Sequence, residues 1–119
     1  PAVAQRAALA AMTGPQDCVG EMLSEYATRR KLVYKGLNEI EGISCLMPEG
    51  TFYAFPNITG VGLDSWELAK YLIREHKVAV LPGSIFGKNG EGYLRLSFAA
   101  DQDRLKEGIS RIKGGVEGL

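Results

Sequence analysis

The sequence predicts an α+β fold in which helices pack on a small mixed or antiparallel sheet. Segments with helical periodicity alternate with short β-branched or aromatic runs, and clusters of Gly and Pro separate them. One predicted helix, residues 16–40, is longer than the rest of the domain requires. At 1.5 Å per residue it would span about 35 Å, a length typical of a helix that connects two domains.

The chain opens with two predicted helices. Residues 2–12 are rich in alanine, a strong helix former, and Gly14-Pro15 ends this first segment. The second helix covers residues 16–40 and is expected to stop at Gly42. Its apolar positions recur mostly at helical spacing and predict a buried stripe of Val19, Met22, Leu23, Tyr26, Val33, Leu37 and Ile40.

Four short strands are predicted between and after the helices. Residues 43–46 and 51–55 flank the turn residues Pro48-Glu49-Gly50, so we expect them to form a hairpin. Residues 78–81 form a third strand that ends at Pro82-Gly83, and residues 93–98 form a fourth.

Two further helices have clear starting signals. Asp64 and Glu67 match the reciprocal capping pattern at the start of a helix over residues 64–76, and Asp101 is the expected cap of the last helix. The pair Gly114-Gly115 should fray the end of that last helix. The predicted apolar stripes consist of Trp66, Ala69, Leu72, Ile73 and His76 in the first helix, and Leu105, Ile109, Ile112 and Val116 in the second.

The composition gives no indication of nucleic acid or an anionic membrane as partner, because Lys plus Arg equals Asp plus Glu at 14 each. No apolar run approaches the roughly 20 residues of a membrane helix, and residues 1–11 lack a signal-peptide pattern. Cys18 and Cys45 form no metal-ligand spacing, so we expect two buried thiols in a reducing, cytoplasmic setting. His76 is the single histidine, which argues against a histidine-based metal site.

The strand over residues 93–98 carries the most informative polar residue, Arg95. Side chains alternate along a strand, so Leu94, Leu96 and Phe98 should face the core, which places Arg95 on the opposite face. A guanidinium held by a rigid strand offers paired N–H donors to a carboxylate or phosphate. From this strand alone, an ordinary surface arginine is the more frequent outcome.

Two neighbouring segments are candidate site walls. The glycine-rich loop from Gly83 contains the apolar residues Ile85 and Phe86, and it lacks the Gly-Lys-Ser/Thr ending of a phosphate-binding loop. In the aromatic segment, Phe55 is expected in the core. Phe52 and Tyr53 should point to opposite faces, so at most one of them can face a ligand. No catalytic triad, carboxylate pair or metal cluster can be assembled from the chain.

Taken in order, the segments Pro48-Glu49-Gly50-Thr51-Phe52-Tyr53, "VAVLPGSIFG" and "GEGYLRLSFA" resemble the C-terminal part of class I and II aminotransferases of fold type I. The segment "MLSEYATRRKLVYKGLNEI" is similar to the long interdomain helix of that family, and "EGTFYAFPNI" is most similar to its bacterial aspartate aminotransferase branch. The resemblance covers nearly the whole chain. It implies that residues 1–15 belong to the helical segment leading from a large domain and that residues 16–119 form the small domain.

The resemblance also implies functional roles. Arg95 would bind the α-carboxylate of the substrate, Phe52 or Tyr53 would contact the substrate side chain, and the loop with Gly83, Ile85 and Phe86 would lie at the site mouth. The cofactor would be pyridoxal phosphate, bound to a lysine of the large domain, because no lysine of this chain lies in the family's lysine motif. The chain alone is therefore expected to bind no cofactor and to be inactive.

The implied activity is transfer of an amino group between an amino acid, aspartate or an aromatic one, and a 2-oxo acid, in a homodimeric cytoplasmic enzyme. Three alternatives stay open at this point. The same domain occurs in transcription regulators with an aminotransferase-like domain and in fold-type-I lyases or cyclopropane-forming synthases. A free-standing α+β binding module is the third alternative, although the long second helix argues against it.

Overall fold

The computed structural model describes all residues 1–119 and confirms the α+β class. Four α-helices surround one small sheet: α1 (Ala2–Thr13), α2 (Asp17–Asn38), α3 (Ser65–Glu75) and α4 (Gln102–Glu117), with strands β1 (Tyr53–Ala54), β2 (Leu81–Pro82) and β3 (Leu94–Ser97). Three single-turn 3-10 helices complete the chain at Thr59–Val61, Gly83–Phe86 and Lys88–Gly90. No helix has both the length and the apolar composition needed to cross a membrane.

The sheet is antiparallel, with β3 between β1 and β2. Tyr53 lies opposite Ser97 in the first pair, and Leu81 lies opposite Arg95 in the second. The strands are shorter than predicted: β3 lies within the predicted residues 93–98, whereas β2 overlaps the predicted residues 78–81 only at Leu81. Arg95 therefore lies in the middle strand, which is flanked by backbone on both sides.

The predicted hairpin of residues 43–46 with 51–55 is wrong. Residues 43–46 contribute only one bridge, between Ser44 and Asn57, and β1 pairs with β3 instead. The cause is Asn38 at the end of α2, whose side chain accepts from the Cys45 amide and donates to the Cys45 carbonyl, both at 3.0 Å. Because these backbone groups are satisfied by a side chain, they are not available for a ladder.

One apolar core lies between the inner face of the sheet and the helices. Leu94, Leu96 and Phe98 are buried, as the alternation predicted, and they pack with the second half of α2, α3 and α4. The largest fully buried side chains are Phe98, Leu37, Ile40, Ile58, Leu68 and Leu72. This core fixes the sheet, and therefore fixes the direction in which its outer face points.

The N-terminal third of the chain lies outside this core. Helix α1 has no buried residue, and Val19, Met22 and Leu23 of α2 are exposed. The predicted stripe of α2 is therefore wrong over its first half, where the rest of the chain offers no surface to cover it. Cys18 is also exposed, contrary to expectation, whereas Cys45 is buried and its burial raises the pKa of the thiol.

Helix α3 confirms its predicted start and part of its predicted stripe, since Ala69 and Leu72 are buried. Asp64 accepts from the Glu67 amide at 2.8 Å while the Glu67 carboxylate accepts from the Asp64 amide, which is a complete capping box. The stripe is wrong at Trp66 and Ile73, which are about half exposed, because Leu68 occupies the core together with Ala69 and Leu72. The buried face of the helix is thus shifted towards Ser65 and Leu68 relative to the prediction.

Helix α4 begins at the predicted cap, Asp101, and buries Leu105 and Ile112. The expected fraying at Gly114-Gly115 is wrong, since the helix continues to Glu117. Gly115 is buried because α3 ends against it: a Cβ at this position would lie 2.9 Å from Cδ2 of His76. His76 closes α3, and its Nε2 lies 3.1 Å from the Tyr71 hydroxyl.

Candidate functional site

Arg95 projects from the centre of the outer face of the sheet and is half-buried. Its strand neighbours Leu94 and Leu96 point into the core on the other side, which confirms the predicted alternation. The core thus holds the Arg95 backbone rigidly while the side chain remains accessible.

Two aromatic rings flank the guanidinium. Cζ of Arg95 lies 4.3 Å from the ring centroid of Tyr53 and 4.3 Å from that of Phe86. Tyr53 belongs to β1, and Phe86 ends the 3-10 helix that directly follows β2 on the other side of β3, so the two rings reach the guanidinium from opposite flanks. Each ring attracts the cation through its quadrupole and covers part of it from solvent.

Arg95 has no acidic or carbonyl partner within the chain. The two other half-buried arginines do have one: Nε of Arg29 lies 2.7 Å from the Glu25 carboxylate, and Nη1 of Arg30 donates to the Pro48 carbonyl at 3.1 Å. The guanidinium of Arg95 makes neither an ion pair nor a hydrogen bond. Its N–H donors are therefore free to bind an external anion, and their planar fork matches a carboxylate.

Further aromatic side chains extend this outer face. Phe55 stacks on Tyr93 at a centroid distance of 5.2 Å, and its ring meets Phe86 edge-on at 6.3 Å. The prediction that Phe55 lies in the core is therefore wrong: Ala54 is the buried residue, and Phe55 is 40% exposed on the Arg95 side. An exposed aromatic surface thus surrounds the free cation.

Tyr53 and Phe52 differ in their relation to Arg95. The Tyr53 ring contacts the guanidinium. The Phe52 ring instead packs against the rings of Tyr26 and Tyr53, with centroid distances of 6.3 Å and 4.5 Å. Thr51, in a left-handed turn with φ 61°, precedes both, and its hydroxyl accepts from the Tyr53 amide at 3.1 Å. This turn directs Tyr53 towards the cation and Phe52 towards α2.

A shallow pocket of about 170 Å³ opens beside the guanidinium. It is lined by Tyr53, Ala79, Val80, Leu81, Arg95 and Ser97. Its walls are mainly apolar, and Arg95 is its single charged group, so the pocket is suited to a small carboxylate with an apolar neighbour.

The predicted site-mouth loop divides into two parts. The Phe86 ring contacts the Arg95 guanidinium, whereas Ile85 is 47% exposed. Gly83 is buried where the loop crosses itself: a Cβ there would lie 2.1 Å from the Gly90 carbonyl oxygen, and a Cβ at Gly90 would lie 2.0 Å from the Gly83 carbonyl oxygen. Only two glycines allow this crossing.

A carboxylate that the sequence reasoning missed fixes the loop to α3. Glu91 accepts from the Ser65 amide and hydroxyl, both at 2.8 Å, and from the Gly92 amide at 3.0 Å. The Ser65 hydroxyl also lies 3.0 Å from the hydroxyl of Ser84. These bonds hold the pKa of Glu91 below its ordinary value, and the bond from the Ser65 amide has the largest effect. No local spacing signals this network, because Ser65 and Glu91 are 26 residues apart.

Two larger grooves, each about 360 Å³, lie away from Arg95. The one between α2 and α4 is lined by three lysines, and each of them is paired with an acid one turn away on its own helix: Lys35 with Glu39, Lys106 with Asp103, and Lys113 with Glu117. Because these charges are balanced locally, the groove between α2 and α4 presents no unpaired lysine, and Arg95 remains the candidate site. No group of His, Cys, Asp and Glu side chains in residues 1–119 is arranged to hold a metal ion.

Comparison with known proteins gives one consistent family. The model of aminotransferase class I and II matches residues 1–112. The chain is 44% identical over 100 residues to the aspartate aminotransferase of Pyrococcus horikoshii, covering 84% of this chain and 26% of that protein. It is 47% identical over 97 residues to aromatic-amino-acid aminotransferase 2 of Thermococcus litoralis, covering 82% of this chain and 25% of that protein.

Solved structures that are similar to this chain are also aminotransferases. The alanine aminotransferase of Pyrococcus furiosus superposes with a TM-score of 0.93 at 36% identity, over 98% of this chain and 30% of that one. The PLP-bound aminotransferase structure from Clostridium difficile 630 gives a TM-score of 0.79 at 28% identity, over 85% and 26% of the two chains.

The chain spans between a quarter and a third of the length of these relatives. Within that span, the family model covers every element described here except the last turn of α4. The fold, the order of its segments and the sequence similarity lead to the same assignment: this chain belongs to the class I and II aminotransferase family.

Proposed function

We propose that this chain is the C-terminal small domain of an enzyme that transfers an amino group between an amino acid and a 2-oxo acid with pyridoxal phosphate. In this proposal Arg95 binds the α-carboxylate of the substrate. The observation that carries it is the half-buried guanidinium between two aromatic rings, which has no partner within the chain. A substrate carboxylate would supply that partner.

The geometry suits this task better than general anion binding. A β-strand arginine whose backbone is fixed by the core presents two parallel N–H groups, so a carboxylate bound to it is held in position and orientation. Such orientation is what amino-group transfer requires, because the α-C–H bond must be aligned with the reacting group. The aromatic surface around Arg95 would lower the local exposure to water and strengthen the charged contact.

The residues of this chain do not fit covalent attachment of the cofactor. Pyridoxal phosphate supplies the electron sink for this chemistry when it is bound. No lysine lines the pocket beside Arg95, and the lysines whose contacts are defined lie on helix surfaces or at a helix end, as Lys70 does over Trp66 and Lys77 does beside the Arg74 carbonyl. The chain therefore provides substrate recognition, and the attachment site belongs to the large domain of the full-length protein.

The partner of this domain is then the large domain of the same polypeptide. The exposed apolar residues of α1 and of the first half of α2, among them Val3, Met12 and Leu23, support this proposal because an isolated helix of 12 residues is marginal in water. Residues 1–15 would belong to the connection with that domain and residues 16–119 to the small domain. We further propose a homodimer in a reducing cytoplasmic setting, consistent with two unpaired cysteines.

Aspartate or an aromatic amino acid is the proposed amino donor. The two relatives described above have these names, and the aromatic surface of Phe55 and Tyr93 would accept an aromatic side chain. Nothing else in the pocket carries a positive charge that could bind a second carboxylate.

The test uses the full-length protein that contains this chain, assayed with aspartate, tyrosine and phenylalanine as donors. We expect Arg95→Ala to lower kcat/KM by about 30- to 5,000-fold, because loss of a bidentate charged contact costs about 2–5 kcal/mol. Arg95→Lys retains the charge but not the fork, so its loss should be smaller but still evident.

Arg74→Ala is the matched control, because Arg74 is an exposed arginine at the end of α3. Its kinetics should equal those of the unchanged protein. Unchanged kinetics of Arg95→Ala would remove Arg95 from the site. Absence of amino transfer from every donor, with elimination or ring closure or DNA binding in its place, would favour the lyase, synthase or regulator alternatives.

A further inference from the structure

We propose that Phe86 and Tyr53 are positioning residues for substrate binding, which act by holding the Arg95 guanidinium in the orientation that accepts a carboxylate. This inference depends on the proposed function of Arg95. It assigns to Phe86 and Tyr53 a role that acts through the arginine, not through contact with the substrate side chain.

The rings of Tyr53 and Phe86 are equally close to the Arg95 guanidinium. Both ring centroids lie 4.3 Å from Cζ of Arg95, and they belong to chain segments on opposite sides of β3. An arginine side chain has several rotatable bonds and would otherwise distribute over many rotamers. Two flanking rings restrict this freedom without using any N–H donor of the guanidinium, so all its donors stay available to a ligand.

The rings can restrict Arg95 only if they are themselves fixed. Tyr53 lies in β1, which is paired with β3, and its ring packs against Phe52 at 4.5 Å. Phe86 lies in a loop, but that loop is attached at both ends. Gly83 donates to the Tyr93 carbonyl at 2.7 Å at the start, and Glu91 binds Ser65 after the loop.

The two rings differ in what else supports them, which makes Phe86 the more informative position. Phe86 is about half exposed, and besides its contact with Arg95 its ring packs against one other ring, that of Phe55. Replacing it should therefore change the guanidinium more than it changes the core. Restricting the arginine before binding lowers the ordering cost of binding, so the expected effect is on substrate affinity.

The experiment is a double-mutant cycle in the full-length protein. Phe86→Leu removes the ring, Phe86→Tyr retains it, and each is combined with Arg95→Ala. We expect Phe86→Leu to raise KM for the amino donor by about 5- to 30-fold with little change in kcat, since a cation–ring contact corresponds to a factor of that order. Phe86→Tyr should restore KM. In the Arg95→Ala background, Phe86→Leu should have no further effect.

The outcomes separate this inference from the proposed function. If Arg95→Ala leaves the kinetics unchanged, the proposed role of Arg95 is wrong and the inference falls with it. If Arg95→Ala has its large effect but Phe86→Leu changes nothing, or lowers activity equally in both backgrounds, only the positioning role is wrong. Far-UV circular dichroism and the thermal unfolding midpoint identify a variant that has lost its fold. If Phe86→Leu has lost its fold, Tyr53→Leu tests the positioning role from the opposite flank of Arg95, with Tyr53→Phe as the control that retains the ring.

Discussion

The crossing of Gly83 and Gly90 gives the sharpest test of how the Arg95 site is built. An alanine at position 83 would place its Cβ 2.1 Å from the Gly90 carbonyl oxygen and 2.7 Å from the Tyr93 carbonyl oxygen. Ordinary contact distances begin near 3.4 Å, so the backbone must separate by more than an ångström. No rotation of a side chain can relieve this clash, because both obstacles are backbone atoms.

The magnitude follows from two terms. Overpacking a well-packed region costs about 1–3 kcal/mol. Separating the strands also weakens the bond from the Gly83 amide to the Tyr93 carbonyl, now 2.7 Å, and leaving a buried amide unpaired costs about 1–3 kcal/mol more. We therefore expect Gly83→Ala to lower the free energy of unfolding by about 2–6 kcal/mol, which at a urea m-value near 1.5 kcal/mol/M is a midpoint shift of about 1.3–4 M.

The assay is urea unfolding of the 119-residue chain followed by far-UV circular dichroism. Gly108→Ala is the matched control, because it adds the same methyl group to a helix interior where nothing lies within 4 Å of the new Cβ. It should stabilise the chain by about 0.5–1 kcal/mol. A Gly83→Ala variant within 1 kcal/mol of the unchanged chain would refute the crossing and, with it, the fixed position of the loop that carries Phe86.

Other consequences of the structure can be measured on the same chain. Asp64→Ala removes the cap of α3 and should cost about 1 kcal/mol by urea unfolding, whereas Glu67→Gln, which keeps an acceptor, should cost less; an unchanged midpoint for Asp64→Ala would contradict the capping box. The lowered pKa of Glu91 stabilises the fold above the ordinary carboxyl value of 4.5, and this contribution is lost as the pH falls through the folded-state pKa below it. Glu91→Gln should therefore make unfolding free energy depend less steeply on pH below 4.5, and an unaltered slope would mean that the carboxylate is not bound as described. The chain incubated with pyridoxal phosphate and dialysed should retain no cofactor absorbance; a band that survives dialysis and disappears on changing one lysine would place an attachment site in this chain.

The sequence predicted the parts of the fold that local chemistry decides. Asp64 with Glu67 and Asp101 each mark a helix start, because a cap satisfies amides only three residues away. The alternation in β3 placed Arg95 opposite the core for the same reason, since it depends only on the pleat of one strand.

The predictions fail where a residue distant in the sequence determines the pairing or the burial of a segment. Asn38 takes the backbone bonds of Cys45 and so prevents the predicted hairpin, and no pattern within residues 43–55 shows this. Trp66 was expected in the core because it falls at helical spacing with Ala69 and Ile73, yet it is about half exposed and Leu68 is fully buried.

The candidate site follows the same division. Arg95 could be identified from one strand together with the family resemblance, whereas its surroundings could not. The Tyr53 and Phe86 contacts require the strand order β1-β3-β2, and the bond between Glu91 and Ser65 requires the loop to return to the start of α3. These relations are set by tertiary packing rather than by spacing along the chain.

The most direct test is a crystal structure of the full-length protein with a bound amino-acid substrate analogue that carries an α-carboxylate. We predict that both carboxylate oxygens lie about 2.7–2.9 Å from guanidinium nitrogens of Arg95, with the rings of Tyr53 and Phe86 still on its flanks. A carboxylate bound to a different cation, with Arg95 directed into solvent, would contradict the assignment on which the proposed function depends.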